Sequence, residues 1–145
     1  MLGYSGPGDD GFVSTFNIRG SDQVPPTITG VTLASDNSTI AVTLDEVVFN
    51  AVGGTGSLEA SDFTLSITGG TATVSATPTS ISASGNVYTL GIGLSGTPDG
   101  SEVLKAAPAD NGIYDGSGNE SSTTPVSYTH LRAHETSLHL VCRLL

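Results

Sequence analysis

The feature that most constrains the fold is the alternation of residue types over residues 39–44, which read TIAVTL. Ile40, Val42 and Leu44 take every second position, and small or hydroxylated residues stand between them. A period of two places one apolar face against a core and leaves the other face to solvent, which is typical of a half-buried β-strand. No segment keeps a helical period over three turns, so we expect an all-β fold.

Further short apolar segments follow along the chain, separated by turn-forming residues. The strands that we expect cover residues 27–34, 39–44, 61–68, 71–76, 79–83, 87–94 and 102–106. Ser84, Gly85 and Asn86 are a hairpin signal between the fifth and sixth of these. About seven short strands with turns this frequent predict an antiparallel β-sandwich around one core.

The charge of the chain argues against two classes of partner. The sequence has 14 acidic and 4 basic residues, and only Arg19 and Lys105 among the basic residues precede residue 126. A surface this acidic repels nucleic acid and anionic membranes, so we expect neither partner. The acids are scattered along the sequence, which favours a solvated surface over a dedicated cation-binding one.

The part of the chain before residue 126 lacks the residues of common catalytic sites. It contains no cysteine and no histidine, which excludes a disulfide framework, a Cys/His zinc site and a Ser-His-Asp triad there. Asp45 and Glu46 are adjacent, so on a strand they would point to opposite faces. The sequence therefore predicts a protein that is not an enzyme and needs no cofactor.

The best candidate for metal chemistry is a calcium site in residues 110–120. Asp115, Ser117 and Asn119 place oxygen ligands at alternate positions, as the start of a calcium loop does, and Asp110 lies nearby. The segment lacks the glycine and the closing glutamate of that loop. Asp and Asn next to Gly also form ordinary turns through side-chain to backbone bonds, which is the reading that we favour.

The first 24 residues are interpreted as the end of a preceding module and its linker. A glycine-rich stretch is followed by residues 12–18, in which Phe12, Phe16 and Ile18 share one face of an expected strand. Pro25 and Pro26 then favour an extended connector. The start of the chain has no basic and apolar export signal, so we expect that signal to lie upstream.

Residues 126–145 differ from the rest of the chain in composition. They hold all three histidines, the single cysteine and two of the four basic residues. Residues 126–136 resemble the translation of a transposase-type sequencing adapter, and residues 140–145 resemble the flow-cell adapter that follows it, in one frame. We therefore interpret this tail as non-native read-through in a metagenomic fragment, although residues 126–131 alternate like an edge strand.

Five short motifs occur in an order that resembles one protein family. They are PTI at 26–28, IAVTLDEV at 40–47, DFTL at 62–65, YTL at 88–90 and IYDGSGN at 113–119. In this order they resemble the bacterial immunoglobulin-like repeats found in tandem in S-layer proteins and surface adhesins. The resemblance covers about residues 25–120. Leu44 and Asp45 depart from it, because Phe and Ser are usual at those positions.

The resemblance implies an immunoglobulin-like sandwich over residues 25–125 that acts as a spacer or stalk. Its partners would be neighbouring repeats of the same chain, and its location would be extracellular or at the cell surface. The alternative is an adhesive module that binds cell-surface glycans or proteins, with calcium as a further stiffening ion. A glycan-binding module would want exposed aromatic residues, and this chain has no tryptophan.

Overall fold

A computed structural model describes residues 22–124 and 127–133. The predicted all-β fold is confirmed, since the described residues contain strands and a single turn of 3-10 helix (Ala60–Asp62). The strands are β1 (Ile28–Leu33), β2 (Thr39–Leu44), β3 (Phe63–Thr68), β4 (Ser80–Ser84), β5 (Val87–Gly91), β6 (Val103–Pro108) and β7 (Ser127–His130). The strand predicted at residues 12–18 lies outside the described residues.

The strands form two antiparallel sheets that pack as a sandwich. One sheet has the order β1-β2-β5-β4 and the other the order β3-β6-β7. This is the distribution of seven strands in a constant-type immunoglobulin domain. The alternation over residues 39–44 has the expected result, because Ile40, Val42 and Leu44 are buried while their neighbours are half-exposed.

The core lies between the sheets and takes residues from both. Ile40, Val42 and Leu90 from the first sheet and Phe63, Leu65 and Leu104 from the second are at most 2% exposed. The rings of Phe63 and Tyr88 lie 5.9 Å apart and are tilted by 43°. Aromatic pairs at this separation stabilise the folded state by more than the burial of their apolar area alone.

The hairpin predicted around Gly85 is confirmed, whereas the strand predicted at 71–76 is wrong. β4 and β5 pair from Ser84 with Val87 onward. Residues 71–76 instead form isolated backbone contacts: Thr73 forms a single bridge with Ser95, and the carbonyl oxygen of Ala76 accepts a hydrogen bond from the amide of Leu65 in β3. Single contacts of this kind do not make a ladder.

Strand β7 places part of the tail inside the sandwich. It pairs with β6, and the side chain of Leu131 just beyond it is 2% exposed. The buried side-chain amide of Asn37 donates to the carbonyl oxygen of Arg132 and accepts from its N–H, at 2.9 and 3.0 Å. The sandwich thus extends past the predicted boundary at residue 125, and the adapter origin of residues 126–145 stays a prediction.

Candidate functional site

The chain that enters the sandwich is fixed to it before β1 begins. The side-chain amide of Asn119 donates to the carbonyl oxygen of Asp22 at 2.8 Å, and the Ser121 hydroxyl donates to that of Pro26 at 2.7 Å. We call residues 22–27, 45–56 and 114–121, which meet here, the connector end. Residues almost a hundred positions apart in sequence therefore hold the connector in place.

Thr27 and Asp45 close the connector end with a reciprocal set of hydrogen bonds. The N–H of Thr27 donates to Oδ1 of Asp45 at 2.9 Å, and its hydroxyl donates to Oδ2 at 2.8 Å. The N–H of Asp45 in turn donates to the carbonyl oxygen of Thr27 at 3.0 Å. Three bonds between two residues fix the direction in which the connector meets the strand.

Asp115 organises the turn that lies beside the connector. Its Oδ1 accepts hydrogen bonds from the N–H groups of Ser117 and Asn119, both at 2.8 Å, and its Oδ2 accepts one from the Asn119 side-chain amide at 2.6 Å. Asp115 is only 1% exposed, so its carboxylate takes the place of water as the hydrogen-bond acceptor for these donors. Ser117 and Asn119 therefore act as hydrogen-bond donors to Asp115, in the ordinary turn that the sequence favours over a calcium loop.

Three carboxylates converge at this end. Each of Asp22, Glu46 and Asp115 offers an oxygen, and these oxygens lie within 4.8 Å of one another. Of the sequence candidates for calcium, Asp115 belongs to this group. Asp110 lies elsewhere, where its Oδ2 accepts a hydrogen bond from the side-chain amide of Asn111. Asp22 and Glu46 were missed by sequence reasoning, because no spacing relates positions 22, 46 and 115.

The members of this acidic cluster differ in how they are stabilised. Burial alone would raise the pKa of Asp115, but hydrogen bonds from the side chain and N–H of Asn119 and from the N–H of Ser117 hold it below its usual range. Burial raises the pKa of Glu46, and the negative charges of Asp115, Asp22 and Asp45 raise it further. The cluster thus combines one carboxylate that hydrogen bonds keep ionised with one whose ionised form its neighbours disfavour.

A small cavity opens beside the connector. It has a volume of about 30 Å³ and is lined by Pro26, Thr27, Ile28, Pro108, Ser121 and Ser122. Ligand pockets usually measure about 300–1,000 Å³, and this cavity has room for about one water molecule. It is a packing gap between the connector and the end of β6.

The other end of the sandwich, formed by residues 34–38, 69–72, 99–102 and 131–133, is called the turn end. Glu102 is fully buried there, and its carboxylate accepts hydrogen bonds from the N–H groups of Thr71, Ala72, Asp99 and Gly100. Burial would raise its pKa, but hydrogen bonds from the N–H groups of Ala72, Asp99 and Gly100 lower it. A Cβ on Gly70 would overlap the carboxylate, so the glycine is needed for this approach.

Comparison with known proteins adds no relationship to this picture. No family model, curated protein or solved structure matches the chain. Within the described residues, no helix has the length and apolar character needed to cross a membrane.

Proposed function

We propose that the chain carries a non-catalytic spacer module of a large secreted or cell-surface bacterial protein. The observation that supports this best is the tied connector. Asp22, Pro26 and Thr27 are each hydrogen-bonded to a distant part of the sandwich, so residues 22–27 are held along one path. A stalk needs such fixed junctions, because flexible ones would let successive modules fold back on each other.

The distribution of side chains is also that of a structural module. Asp45, Asp115 and Glu102 accept hydrogen bonds from backbone N–H groups, so these acids serve the local structure of the two ends. The resemblance to bacterial immunoglobulin-like repeats adds the expectation of tandem neighbours and an extracellular location. The partner of this module would then be the next repeat of the same chain.

The main alternative is an adhesive module that binds glycans. Such modules stack sugar rings on exposed aromatic side chains. The aromatic rings that the structure describes are buried or half-buried, with Phe63 and Tyr88 in the core and Phe49 and Tyr114 partly covered at the connector end. These positions favour the spacer over the binder.

A glycan array probed with the full chain separates the two functions. A spacer gives no reproducible binding above a matched acidic control protein, with or without calcium. Reproducible binding to one glycan class, lost after competition with the free sugar, would contradict the spacer and establish the adhesive alternative. Including calcium and chelator lanes shows whether any binding depends on the ion.

A further inference from the structure

The two sheets have four edges, and three of these contact another part of the chain. β1 and β7, each at one edge of its sheet, lie against each other. At the other edge of the second sheet, the N–H of Leu65 in β3 donates to the carbonyl oxygen of Ala76 at 2.7 Å. β4 forms the fourth edge, and among the described residues its backbone pairs with β5 alone.

The outer edge of β4 presents unpaired backbone groups. In an antiparallel ladder, every second residue turns its N–H and C=O away from the neighbouring strand. The register with β5 runs from Ser80 opposite Gly91 to Ser84 opposite Val87 without a shift, so the outward groups form one continuous row. No other part of residues 22–124 and 127–133 forms a hydrogen bond with that row. Such a row is a template for a further strand.

β4 also lacks the residues that usually protect a sheet edge, which are lysine, proline and other charged side chains. Its sequence is SISAS, and its residues are exposed apart from the half-buried Ile81. Charge is absent well beyond the strand, since residues 63–98 contain no charged residue in a chain of net charge −10. A second acidic chain can therefore approach this edge without bringing like charges together.

We propose that two copies of the chain associate through β4, which pairs antiparallel with its counterpart about a two-fold axis at Ser82. This register places Ser80 of one copy opposite Ser84 of the other, and Ile81 opposite Ala83. The strand is self-complementary in this arrangement, because serines face serines and the larger apolar residue faces the smaller one. The contact closes after two copies and joins two four-stranded sheets into one.

The inference goes beyond the spacer function, because it adds a lateral contact between neighbouring stalks. Specific interfaces usually bury about 1,200–2,000 Å². Pairing over the five residues of β4 buries less, so free chains should associate weakly, with a dissociation constant of about 0.1–1 mM. Stalks held side by side on one surface would meet at a high effective concentration.

Sedimentation equilibrium of the full chain tests the association. We expect the average mass to rise from 14.6 kDa towards twice that value between about 10 µM and about 1 mM. Ser82→Lys places two like charges opposite each other at the two-fold axis and should weaken the association by about tenfold or more. Thr64→Lys is the matched control and should associate like the parent, because it adds the same charge at an exposed position of the edge strand β3.

Hydrogen exchange locates the contact in the unmodified chain. Every second amide of Ser80–Ser84 should exchange more slowly at high concentration, whereas the amides of β3 should not change. A mass that stays at 14.6 kDa, or association that Ser82→Lys weakens no more than Thr64→Lys does, would overturn the proposal. So would full protection of the outward β4 amides at the lowest concentration, because another segment of the same chain would then occupy the edge.

Discussion

The two ends of the sandwich handle buried and crowded carboxylates in different ways. At the turn end, Glu102 is fully buried and accepts hydrogen bonds from four backbone N–H groups. At the connector end, Glu46 is only half-buried, yet it stands among three acidic neighbours. The pKa of Glu102 is lowered and that of Glu46 is raised. Hydrogen-bond partners, more than depth of burial, decide whether the fold stabilises the ionised or the neutral form of a carboxyl group.

The difference separates an end where backbone donors stabilise the buried carboxylate from an end where carboxylates repel one another. The turn end closes on itself, because Glu102 and Asn37 satisfy backbone groups from three segments, at residues 71–72, 99–100 and 132. The connector end keeps unbalanced charge at the place where further chain arrives. Substitutions at the turn end should therefore affect stability, and those at the connector end should affect the junction.

The largest effect is expected for Glu102→Gln. The amide loses one acceptor oxygen and turns a donor towards the N–H groups that converge on it, so we expect the melting temperature to fall by about 5–10 °C. Glu120→Gln is the matched control, since Glu120 accepts one backbone bond from Asn111 and is less buried. Its melting temperature should stay within about 2 °C of the parent. Equal effects in calorimetry would contradict the role of Glu102.

The pH dependence of stability sharpens the same contrast. Because the folded pKa of Glu102 lies below its usual value of 4.5, its contribution is fully present above that value and is lost as the pH falls through the folded pKa. Stability of the Glu102→Gln chain, measured by urea unfolding from pH 3 to 7, should therefore fall less steeply below about pH 4.5 than that of the parent. Parallel acid limbs would contradict this assignment.

The next largest effect on stability is expected at Asn37, whose side chain holds the backbone just beyond β7. Its backbone φ is 59°, a left-handed conformation, and its side chain forms two bonds with the backbone of Arg132. Asn37→Ala should reduce the free energy of unfolding by about 1–2 kcal/mol, and Asn37→Gly by less, since glycine avoids the backbone strain. Faster hydrogen exchange at the amides of Leu131 and Arg132 in both variants would locate the loss.

The smallest effect is expected at the acidic cluster. Glu46→Gln removes the repulsion that Asp115 and Asp22 exert on the Glu46 carboxylate and should raise the melting temperature by about 2–4 °C at pH 7. Thermal unfolding of the variant and the parent measures the shift, and an unchanged or lower melting temperature would show that this repulsion does not weaken the fold.

Much of the fold could be predicted from the sequence because alternation is a local signal. The pattern of Ile40, Val42 and Leu44 and the hairpin at Gly85 depend on neighbouring residues alone. The segment 71–76 looked like a strand for the same reason, but Thr71 and Ala72 donate their N–H groups to Glu102, thirty positions away. A bond to a distant side chain leaves no periodic trace in the sequence.

The site was less accessible to sequence reasoning. The turn formed by Asp115 and Asn119 could be predicted, since its residues are close neighbours. The meeting of Asp115 with Asp22 and Glu46 could not, because the two-sheet topology brings these positions together. The roles of Asn37 and Glu102 were missed for the same reason; the local signal that could have pointed to Glu102 is Gly70, where a Cβ would overlap its carboxylate.

Backbone 15N relaxation of the connector tests the central claim most directly. The amides of Gln23, Val24 and Thr27 report on the connector, since residues 25 and 26 are prolines. If the connector is fixed to the sandwich, their order parameters should match those of β2 and β5, at about 0.85. Values below about 0.6 would show a flexible tether and would contradict the spacer with a fixed junction.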